Sequence, residues 1–464
     1  MSTRHREEVF NKWMTRATER FKKKTPKSAK MNEKAQKYLP GGNTRSVIFF
    51  KPYPAFIARG KGCRLYDLDG NVYIDFLNNY TALIHGHAHP AIVKATIGQV
   101  RRGTCFAAPT ESLNLLAKMI CERVKSVEQI RFCNTGTEAT MMAIRAARTF
   151  SGKSKIVKME GGYHGTHDLA EVSITPTLED AGPLSNPRSV PQSGGIPKSV
   201  LDEVIVVPFN NKEVTEKLIR KHQVEIACVI AEPMLGAAGL IPQDEGYLEF
   251  LRELTHKLNI LLIFDEVITL RLGRGGAQGI YGIQPDLTTF GKIIGGGFPV
   301  GAFGGTKEIM KVFSPHERGA ISHSGTFNGN PVTVAAGIAC LENLNSEAFD
   351  RINSLGDLLR DGINRAFTKI QIKGQGTGMG SLVQPHFNSK RVKDYRSAAQ
   401  GNFEAMSLVH LGLLERGINM APRGECSIST PMGKKEINAY LTAFEECLAE
   451  VKPFIEETSP DLIQ

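Results

Sequence analysis

The chain has 464 residues, which is far too long for a peptide hormone. Of these residues 41% are hydrophobic and 22% are charged, a composition typical of globular proteins. No run of 18 apolar residues occurs, so the sequence predicts no membrane-spanning helix. The net charge of +10 lies mostly in residues 1–34, which contain 11 basic and four acidic side chains; this local surplus disfavours a nucleic-acid partner.

The N-terminal segment contains an apolar stripe at helical spacing: Phe10, Trp13, Ala17 and Phe21. This spacing predicts an amphipathic helix that docks through the stripe and keeps its basic face in water. The alternative is a transit peptide, but the glutamates of the segment disfavour it and no apolar signal core follows.

Further along the chain, Asp69-Gly70-Asn71 separates two short alternating runs and predicts a β-hairpin between residues 64 and 76. Six short apolar runs then alternate with helical patterns or long loops, which predicts buried, mostly parallel strands of an α/β fold. The six runs are residues 130–133, 155–159, 204–207, 226–231, 260–264 and 287–290.

Two regions depart from this alternation. Residues 173–199 contain five prolines and little periodicity, which predicts a long loop that either covers a site or is a surface insertion. After residue 340 the helical patterns lengthen, and short strands are predicted only near Gly380 and Ser427. We therefore expect an N-terminal helix and small-domain segment (1–88), a large domain (89–339) and a smaller α+β domain (340–464).

The eight cysteines are scattered without a C-x-x-C pair, which predicts neither a zinc site nor a disulfide scaffold and favours a reducing cytoplasm. His85, His87 and His89 are closely spaced, but no cysteine or carboxylate accompanies them. No metal site is therefore predicted.

A strand, a glycine turn and a helix start meet at residues 134–139, Asn-Thr-Gly-Thr-Glu-Ala. Free backbone N–H groups and the positive end of the helix dipole suit a phosphate. The alternative is structural, with Thr137 acting only as an N-cap and Glu138 in the first helical turn. The loop at residues 322–331 also opens a helix, is rich in hydroxyl groups and suits a phosphate.

Asp265 and Lys292 each follow one of the predicted core strands. A lysine among apolar residues and glycines is costly to bury unless it is paired or deprotonated, and burial lowers its pKa towards that of a usable amine. Lys292 is therefore a candidate for Schiff-base formation, and the alternative is a helix-end lysine that reaches water. Tyr163, on the turn Gly-Tyr-His-Gly, could stack on a planar ring or pack locally.

These motifs occur in an order that resembles the class III (subgroup II) aminotransferases, from about Tyr38 to about Lys452. The resemblance implies fold type I of the pyridoxal-phosphate-dependent transferases: a large, mostly parallel seven-stranded sheet domain and a smaller α+β domain. It also implies the cofactor pyridoxal 5′-phosphate, whose ring, phosphate, aldehyde and ring nitrogen account for the separate motifs together.

Carried over position by position, the resemblance assigns a role to each matching residue. Lys292 would form the Schiff base and move the proton, and Asp265 would pair with the ring nitrogen. The other expected cofactor-binding residues are Gly136 and Thr137 for the phosphate, Tyr163 and Val267 for the two ring faces, His164 from the Gly-Tyr-His-Gly turn, Glu232 near the 3′ oxygen, and Thr326 for the phosphate of a neighbouring subunit. The resemblance thus implies a homodimer.

Two patterns within the family are present. Residues 39–46 and the Gly-Gly-Gly-Phe-Pro-Val-Gly-Ala run resemble glutamate-1-semialdehyde aminomutase. Residues 44–47, 79–82 and 421–424 are more similar to β-phenylalanine aminotransferases, which implies that Arg45 and Arg423 hold carboxylates and that Tyr80 binds substrate. We expect amino transfer from a β-amino acid or amine to a 2-keto acid; the alternatives are the aminomutase reaction and a non-catalytic basic binding protein.

Overall fold

A computed structural model describes residues 3–464, which form two compact units. The larger unit contains Pro90–Asp350 and Lys393–Ala399. The smaller unit contains residues 3–89, Arg351–Val392 and Gln400–Gln464. Its chain is therefore discontinuous.

The strands and helices are numbered in chain order. The strands are β1 (Ile57–Lys61), β2 (Arg64–Asp67), β3 (Val72–Asp75), β4 (Gln129–Cys133), β5 (Lys155–Met159), β6 (Val204–Val207), β7 (Ile226–Ala231), β8 (Met234–Leu235), β9 (Ile241–Pro242), β10 (Leu261–Asp265), β11 (Leu287–Gly291), β12 (Gly301–Gly305), β13 (Gln375–Met379), β14 (Leu382–His386), β15 (Ile418–Asn419) and β16 (Cys426–Ser427). The helices are α1 (Thr3–Lys24), α2 (Pro26–Ala35), α3 (Pro90–Val100), α4 (Glu111–Arg123), α5 (Gly136–Ser151), α6 (Lys198–Asp202), α7 (Lys212–His222), α8 (Tyr247–Lys257), α9 (Gly276–Tyr281), α10 (Lys307–Met310), α11 (Pro331–Glu342), α12 (Ser346–Ile370), α13 (Tyr395–Ala398), α14 (Phe403–Glu415) and α15 (Lys434–Thr458).

The larger unit is built on a seven-stranded sheet in the order β4-β12-β11-β10-β7-β5-β6. Only β12 runs antiparallel to its neighbours. Every residue of β7 is buried, as expected for a central strand covered on both faces. Each of the six predicted apolar runs lies on a strand of this sheet, so the prediction of buried, mostly parallel strands is confirmed.

The seventh strand, β12, has the sequence Gly-Ala-Phe-Gly-Gly and shows no apolar run. Glycine is normally depleted in strands, but here space requires it. A Cβ atom on Gly301 would lie 1.9 Å from the carbonyl oxygen of Thr135, and one on Gly304 would lie 2.5 Å from that of Gln129. Tertiary contact therefore explains why this strand lacks the usual sequence signal.

Helix α5 packs against the same sheet through small side chains. Ala139, Ala143, Ala146 and Ala147 are fully buried in the core cluster, which also contains Val206, a residue of β6. Alanines allow the helix to approach the sheet closely, so the start of α5 is held rigidly beside the strand ends.

The smaller unit combines a four-stranded sheet, β1-β2-β3-β15, with a three-stranded sheet, β13-β14-β16, and the long terminal helices. Strands β2 and β3 form the predicted hairpin. Helix α1 buries Ala17 and Phe21, and the rings of Phe10 and Trp13 lie about 6 Å from that of Phe454 in α15, at 6.2 and 6.1 Å. The predicted amphipathic helix and its docking stripe are thus confirmed.

The proline-rich stretch forms no helix or strand from residue 173 to 197. It is nevertheless tied down: Ser173 donates a hydrogen bond to the carbonyl of Arg188 at 3.0 Å, and Tyr395 of α13 donates to the carbonyl of Pro176. Among the described residues, no helix is both long and apolar enough to cross a membrane.

Candidate functional site

The carboxyl ends of β4, β5, β7, β10 and β11 surround a cavity of about 190 Å³ in the larger unit. This edge is where α/β sheets commonly bind ligands. The cavity is lined by Gly136, Thr137, Tyr163, His164, Gly165, Glu232, Asp265, Val267, Ile268, Lys292 and Val300. The fold thus brings together eight of the nine predicted cofactor-binding residues, all except Thr326.

Two side chains, those of Thr135 and Glu138, accept hydrogen bonds from backbone N–H groups where β4 leads into α5. Thr135, rather than Thr137, is the N-cap: its hydroxyl oxygen accepts a hydrogen bond from the Glu138 backbone N–H at 3.1 Å. The Glu138 carboxylate in turn accepts from the Asn134 N–H at 2.7 Å. Thr137 therefore does not have the capping role considered above, and its hydroxyl accepts from the Thr166 N–H at 3.2 Å beside the cavity.

Asp265 ends β10 as a buried carboxylate with three hydrogen-bond donors. His164 Nδ1 lies 2.9 Å from its Oδ2, and Thr289 Oγ1 donates to its Oδ1 at 3.0 Å, as the Val267 N–H does at 3.2 Å. Burial lowers the pKa of His164, so we assign a neutral imidazole that donates its Nδ1–H to Asp265. Three donors on separate segments leave this carboxylate a single orientation.

Lys292 follows β11 directly and adopts a left-handed backbone conformation, φ 49°, which is unusual for a residue other than glycine. Its half-buried side chain lines the cavity. Burial and the nearby Asp265 raise the pKa of Glu232 to about 8, whereas the positive charge of Lys292 acts in the opposite direction. An amine, two carboxyl groups and an imidazole therefore share this cavity.

Glu232 also fixes the turn that carries Tyr163. Its Oε1 accepts from the Tyr163 N–H at 2.9 Å, and its Oε2 accepts from the Gly236 N–H at 3.0 Å. Gly165 closes the same turn with φ 98°, and a Cβ atom there would lie 2.5 Å from Thr137 Oγ1. Glycine at this position thus allows the turn to approach the start of α5.

Thr326 is exposed, in the loop before α11, and is not part of the cavity lining. The loop is linked to the β4–α5 turn because Asn134 Nδ2 donates to Asn328 Oδ1 at 2.9 Å. Asn330 caps α11, with its side-chain oxygen accepting from the Val332 N–H at 3.0 Å.

The three predicted substrate-binding residues lie together in the smaller unit. The guanidinium carbons of Arg45 and Arg423 lie 5.4 and 6.0 Å from the ring centroid of Tyr80, and Arg45 Nη1 donates to Asn79 Oδ1 at 2.6 Å. Arg423 also pairs with the buried carboxylate of Glu425.

Sequence reasoning missed Thr289, which donates to Asp265, and Glu425, which pairs with Arg423. It also gave no separate attention to Lys158, a fully buried lysine of β5. Thr289 and Lys158 lie inside runs that were interpreted only as strands, and a polar side chain in such a run was the available signal. Glu425 is two residues from Arg423, but its burial is not apparent from the sequence.

Two of the three clustered histidines, His85 and His87, have separate hydrogen-bond partners within the smaller unit. His87 Nε2 lies 2.7 Å from Asp75 Oδ2, and His85 Nδ1 lies 3.0 Å from Thr430 Oγ1. Within residues 3–464, no group of three or more potential ligands could hold a metal ion.

The cavity fits the expected cofactor in the chemistry of its donors. A helix N-terminus and Thr137 suit a phosphate, the buried Asp265 suits a protonated ring nitrogen, and Lys292 supplies an amine for the aldehyde. His164 Nε2 is buried and has no hydrogen-bond partner within the described chain, as expected where a further polar group completes the site.

Comparison with known proteins agrees with this geometry. Residues 50–448 match the family model described as Aminotransferase class-III. The glutamate-1-semialdehyde 2,1-aminomutase of Methanocaldococcus jannaschii is 43% identical over 409 residues, which cover 88% of this chain and 94% of the relative.

Two solved structures are also similar. An omega-transaminase from Sphaerobacter thermophilus is 45% identical with a TM-score of 0.87, covering 92% of this chain and 98% of that one. A β-phenylalanine aminotransferase from Variovorax paradoxus is 37% identical with a TM-score of 0.88, covering 96% and 98%. The chain therefore belongs to the class III aminotransferases, enzymes of fold type I that use pyridoxal 5′-phosphate.

Proposed function

We propose that this enzyme transfers an amino group from a carboxylate-bearing donor, with the amino group β to the carboxylate, to a 2-keto acid such as 2-oxoglutarate or pyruvate. The observation that supports this substrate class is the pair of guanidinium groups, Arg45 and Arg423, around the ring of Tyr80. Guanidinium groups suit carboxylates because their N–H donors match the two carboxylate oxygens.

The two arginines are held differently. Arg423 is half-buried and paired with Glu425, which neutralises one of the two positive charges. Arg45 is exposed; its guanidinium donates a hydrogen bond to Asn79 and lies near the ring of Tyr80. The cluster therefore has one net positive charge, as required for one carboxylate, and Arg45 is the more adaptable arm.

The cavity residues support the chemical step. Pyridoxal 5′-phosphate supplies an electron-withdrawing ring that stabilises negative charge on the amino-bearing carbon. Lys292 Nζ takes the proton from that substrate carbon, and Asp265 holds a proton on the ring nitrogen through its carboxylate. Tyr163 and Val267 confine the ring, while Gly136 and Thr137 bind the phosphate.

The second candidate function is that of a glutamate-1-semialdehyde 2,1-aminomutase. It is favoured by the 43% identity to the aminomutase of Methanocaldococcus jannaschii. An aminomutase retains its substrate carbon skeleton through one turnover. An aminotransferase must release a keto product and admit a second substrate, so its carboxylate anchor serves two ligands.

A donor screen tests the proposal. Purified enzyme is incubated with β-amino acids and either 2-oxoglutarate or pyruvate, and the transferred amino group is detected in the product. We expect transfer from at least one β-amino acid. Conversion of glutamate-1-semialdehyde to 5-aminolevulinate, without transfer to any external keto acid, would favour the aminomutase.

Substitution of Arg45 and Arg423, the two proposed carboxylate anchors, tests whether they bind the substrate. We expect Arg45→Ala and Arg423→Ala to raise KM for carboxylate substrates at least about 30-fold, since a charge contact that the bound substrate shields from water is worth roughly 2 kcal/mol or more. Arg59→Ala is the matched control because Arg59 also lies over a tyrosine ring, that of Tyr66 at 3.5 Å. An equal change in all three variants would refute the anchor role.

We further propose a homodimer in the cytoplasm. Helix α3 exposes Val93, Ile97 and Val100 on one face, with 40, 48 and 49% of each residue accessible, and a second copy of this chain would cover them. All eight cysteines are free, which fits a reducing compartment.

A further inference from the structure

Lys158 is a fully buried lysine in β5 that does not line the cofactor cavity. Its Nζ donates to the carbonyl oxygens of Gly162 at 2.9 Å, Ala170 at 3.2 Å and Val172. Three acceptors match the three N–H groups of an ammonium ion. Burying such a group is costly unless all its donors are used, so these contacts need an explanation beyond packing.

One of the three contacts falls on a particular peptide unit, the one that joins Gly162 to Tyr163. Its carbonyl oxygen accepts from Lys158 Nζ, and its N–H donates to Glu232 Oε1 at 2.9 Å. A basic and an acidic side chain thus hold opposite ends of one peptide plane. This plane determines the direction in which Tyr163 leaves the backbone.

The turn around that peptide is rich in glycine. Gly161 and Gly165, on either side, have φ values of 81° and 98°, a region that glycine enters and leaves at low cost. The hydroxyl of Thr140 holds the carbonyl of His164 at 2.5 Å. Backbone hydrogen bonds hold the start of the turn, from the Gly161 N–H to the carbonyl of Ser173 at 2.9 Å and from the Gly162 N–H to that of Met159 at 3.0 Å. The carbonyl and N–H of the Gly162–Tyr163 peptide, by contrast, are held by the side chains of Lys158 and Glu232.

We propose that Lys158 is a positioning residue, which fixes the Gly162–Tyr163 peptide and thereby orients Tyr163 and His164 towards the bound cofactor. It acts through backbone atoms and touches neither cofactor nor substrate. This inference rests on the proposed placement of Tyr163 at the cofactor ring, but it is independent of which amino donor the enzyme uses.

Lys158→Met tests the proposal, because it keeps an unbranched side chain and removes the ammonium ion. Lys158→Gln is the second variant and retains two N–H donors. Val157→Ala is the matched control: the neighbouring residue of β5 points to the opposite sheet face and is fully buried, so it measures a general loss of strand stability.

The main measurement is the visible circular dichroism of the reconstituted holoenzyme, which reports how the cofactor ring is held and requires no substrate. We expect Lys158→Met to change this signal and to lower kcat by about tenfold to a hundredfold at saturating cofactor, because small misplacements are costly in catalysis. Lys158→Gln should recover part of the wild-type dichroism and part of the wild-type kcat. Val157→Ala should leave the dichroism unchanged, even if its urea unfolding midpoint falls as far as that of Lys158→Met.

A double-mutant cycle identifies the route of the effect. In a Tyr163→Ala background, Lys158→Met should change the cofactor signal much less than in the wild type, because one of the two residues that it orients is absent. The proposal would be overturned if the effects of Lys158→Met and Tyr163→Ala on the cofactor signal were fully additive. It would also be overturned if the dichroism of Lys158→Met were the same as that of Val157→Ala. Failure of both Lys158 variants to fold, while Val157→Ala folds, would show a purely structural role and would also overturn it.

Failure of the underlying assumption gives a different result. If Tyr163→Ala alone leaves the cofactor signal unchanged, Tyr163 does not lie against the ring and the assignment of the site must be revised. Absence of any β-amino acid activity would refute the proposed substrate class without affecting these cofactor measurements.

Discussion

At the scale of single residues, Asp265 illustrates how one carboxylate can be fixed before its ligand binds. Its donors come from the turn after β5, from β11 and from the chain immediately after β10. With Asp265 at the ring nitrogen, as proposed, such an arrangement would avoid reorganisation when charge develops on the bound ring.

We expect Asp265→Asn to slow amino transfer at least about a hundredfold, or roughly 2.7 kcal/mol in barrier, because a neutral amide cannot hold the ring nitrogen protonated. Single-turnover rates at saturating cofactor would measure this. Asp286→Asn is a suitable control: Asp286 precedes β11 at the opposite sheet edge, where it pairs with Arg252 at 2.9 Å. Unchanged rates in Asp265→Asn would contradict the assigned role.

His410 is a second residue with a measurable consequence, in the smaller unit. Both ring nitrogens are buried and lack hydrogen-bond partners within the described residues, and burial lowers the pKa to about 3. The unfolded chain therefore takes up a proton below about pH 6.5 while the folded chain does not, so His410 lowers stability as the pH falls.

We expect His410→Leu to flatten the acid side of the stability curve between about pH 6.5 and pH 3, where the wild-type histidine costs up to roughly 1.4 kcal/mol per pH unit. Urea unfolding at several pH values would measure the slope. The exposed His256 provides the control, since His256→Gln should leave the slope as in the wild type. Parallel curves for His410→Leu and the wild type would be inconsistent with a buried neutral imidazole.

At the scale of elements, the start of α5 is the most informative. The strand end, the Thr135 cap and the first turn of the helix place unpaired N–H groups at the cavity. The cap at this position is Thr135, and serine is its nearest chemical equivalent. Both residues carry the hydroxyl that the cap requires.

Thr135→Ser should therefore change stability by only a few tenths of a kcal/mol, whereas Thr135→Ala should cost about 1 kcal/mol and weaken cofactor binding. Thermal unfolding of the apoenzyme and a cofactor titration would separate these two effects. Thr306→Ala offers a comparison, because Thr306 caps the short helix α10 and its hydroxyl accepts from the Ile309 N–H at 3.4 Å. A loss of cofactor affinity in Thr306→Ala equal to that in Thr135→Ala would argue against a phosphate at α5.

At the scale of the whole molecule, the decisive question is whether Thr326 serves a neighbouring subunit. It lies outside the cavity of its own chain, on an exposed loop beside Phe327, which is 58% exposed. In a symmetric dimer, two chains with different defects can combine to form one intact site.

We expect co-expressed Lys292→Ala and Thr326→Ala chains to regain activity at limiting cofactor, with about a quarter of all sites intact if pairing is random. Each parent alone should be inactive or weakly active under the same conditions. A partner that carries both substitutions should give no recovery. If the mixed protein is dimeric and shows no recovery, Thr326 acts within its own chain or has no role in binding.

Much of the fold was determined by local sequence. The six apolar runs, the Asp-Gly-Asn hairpin and the stripe on α1 were all found where predicted. Each depends on the alternation or spacing of apolar side chains and on turn residues, which act over a few positions. The same local signals located the residues that now lie at the ends of the central strands.

Tertiary structure alone decided the features that depend on distant partners. β12 is a strand because its glycines fit against the carbonyls of Thr135 and Gln129, not because of its own propensity. The segment Lys393–Ala399 joins the larger unit, where Arg396 forms two hydrogen bonds with the buried Glu160, at 2.7 and 2.9 Å. Such buried pairs and close approaches are determined by residues far apart in the chain, and no local pattern in the sequence encodes them.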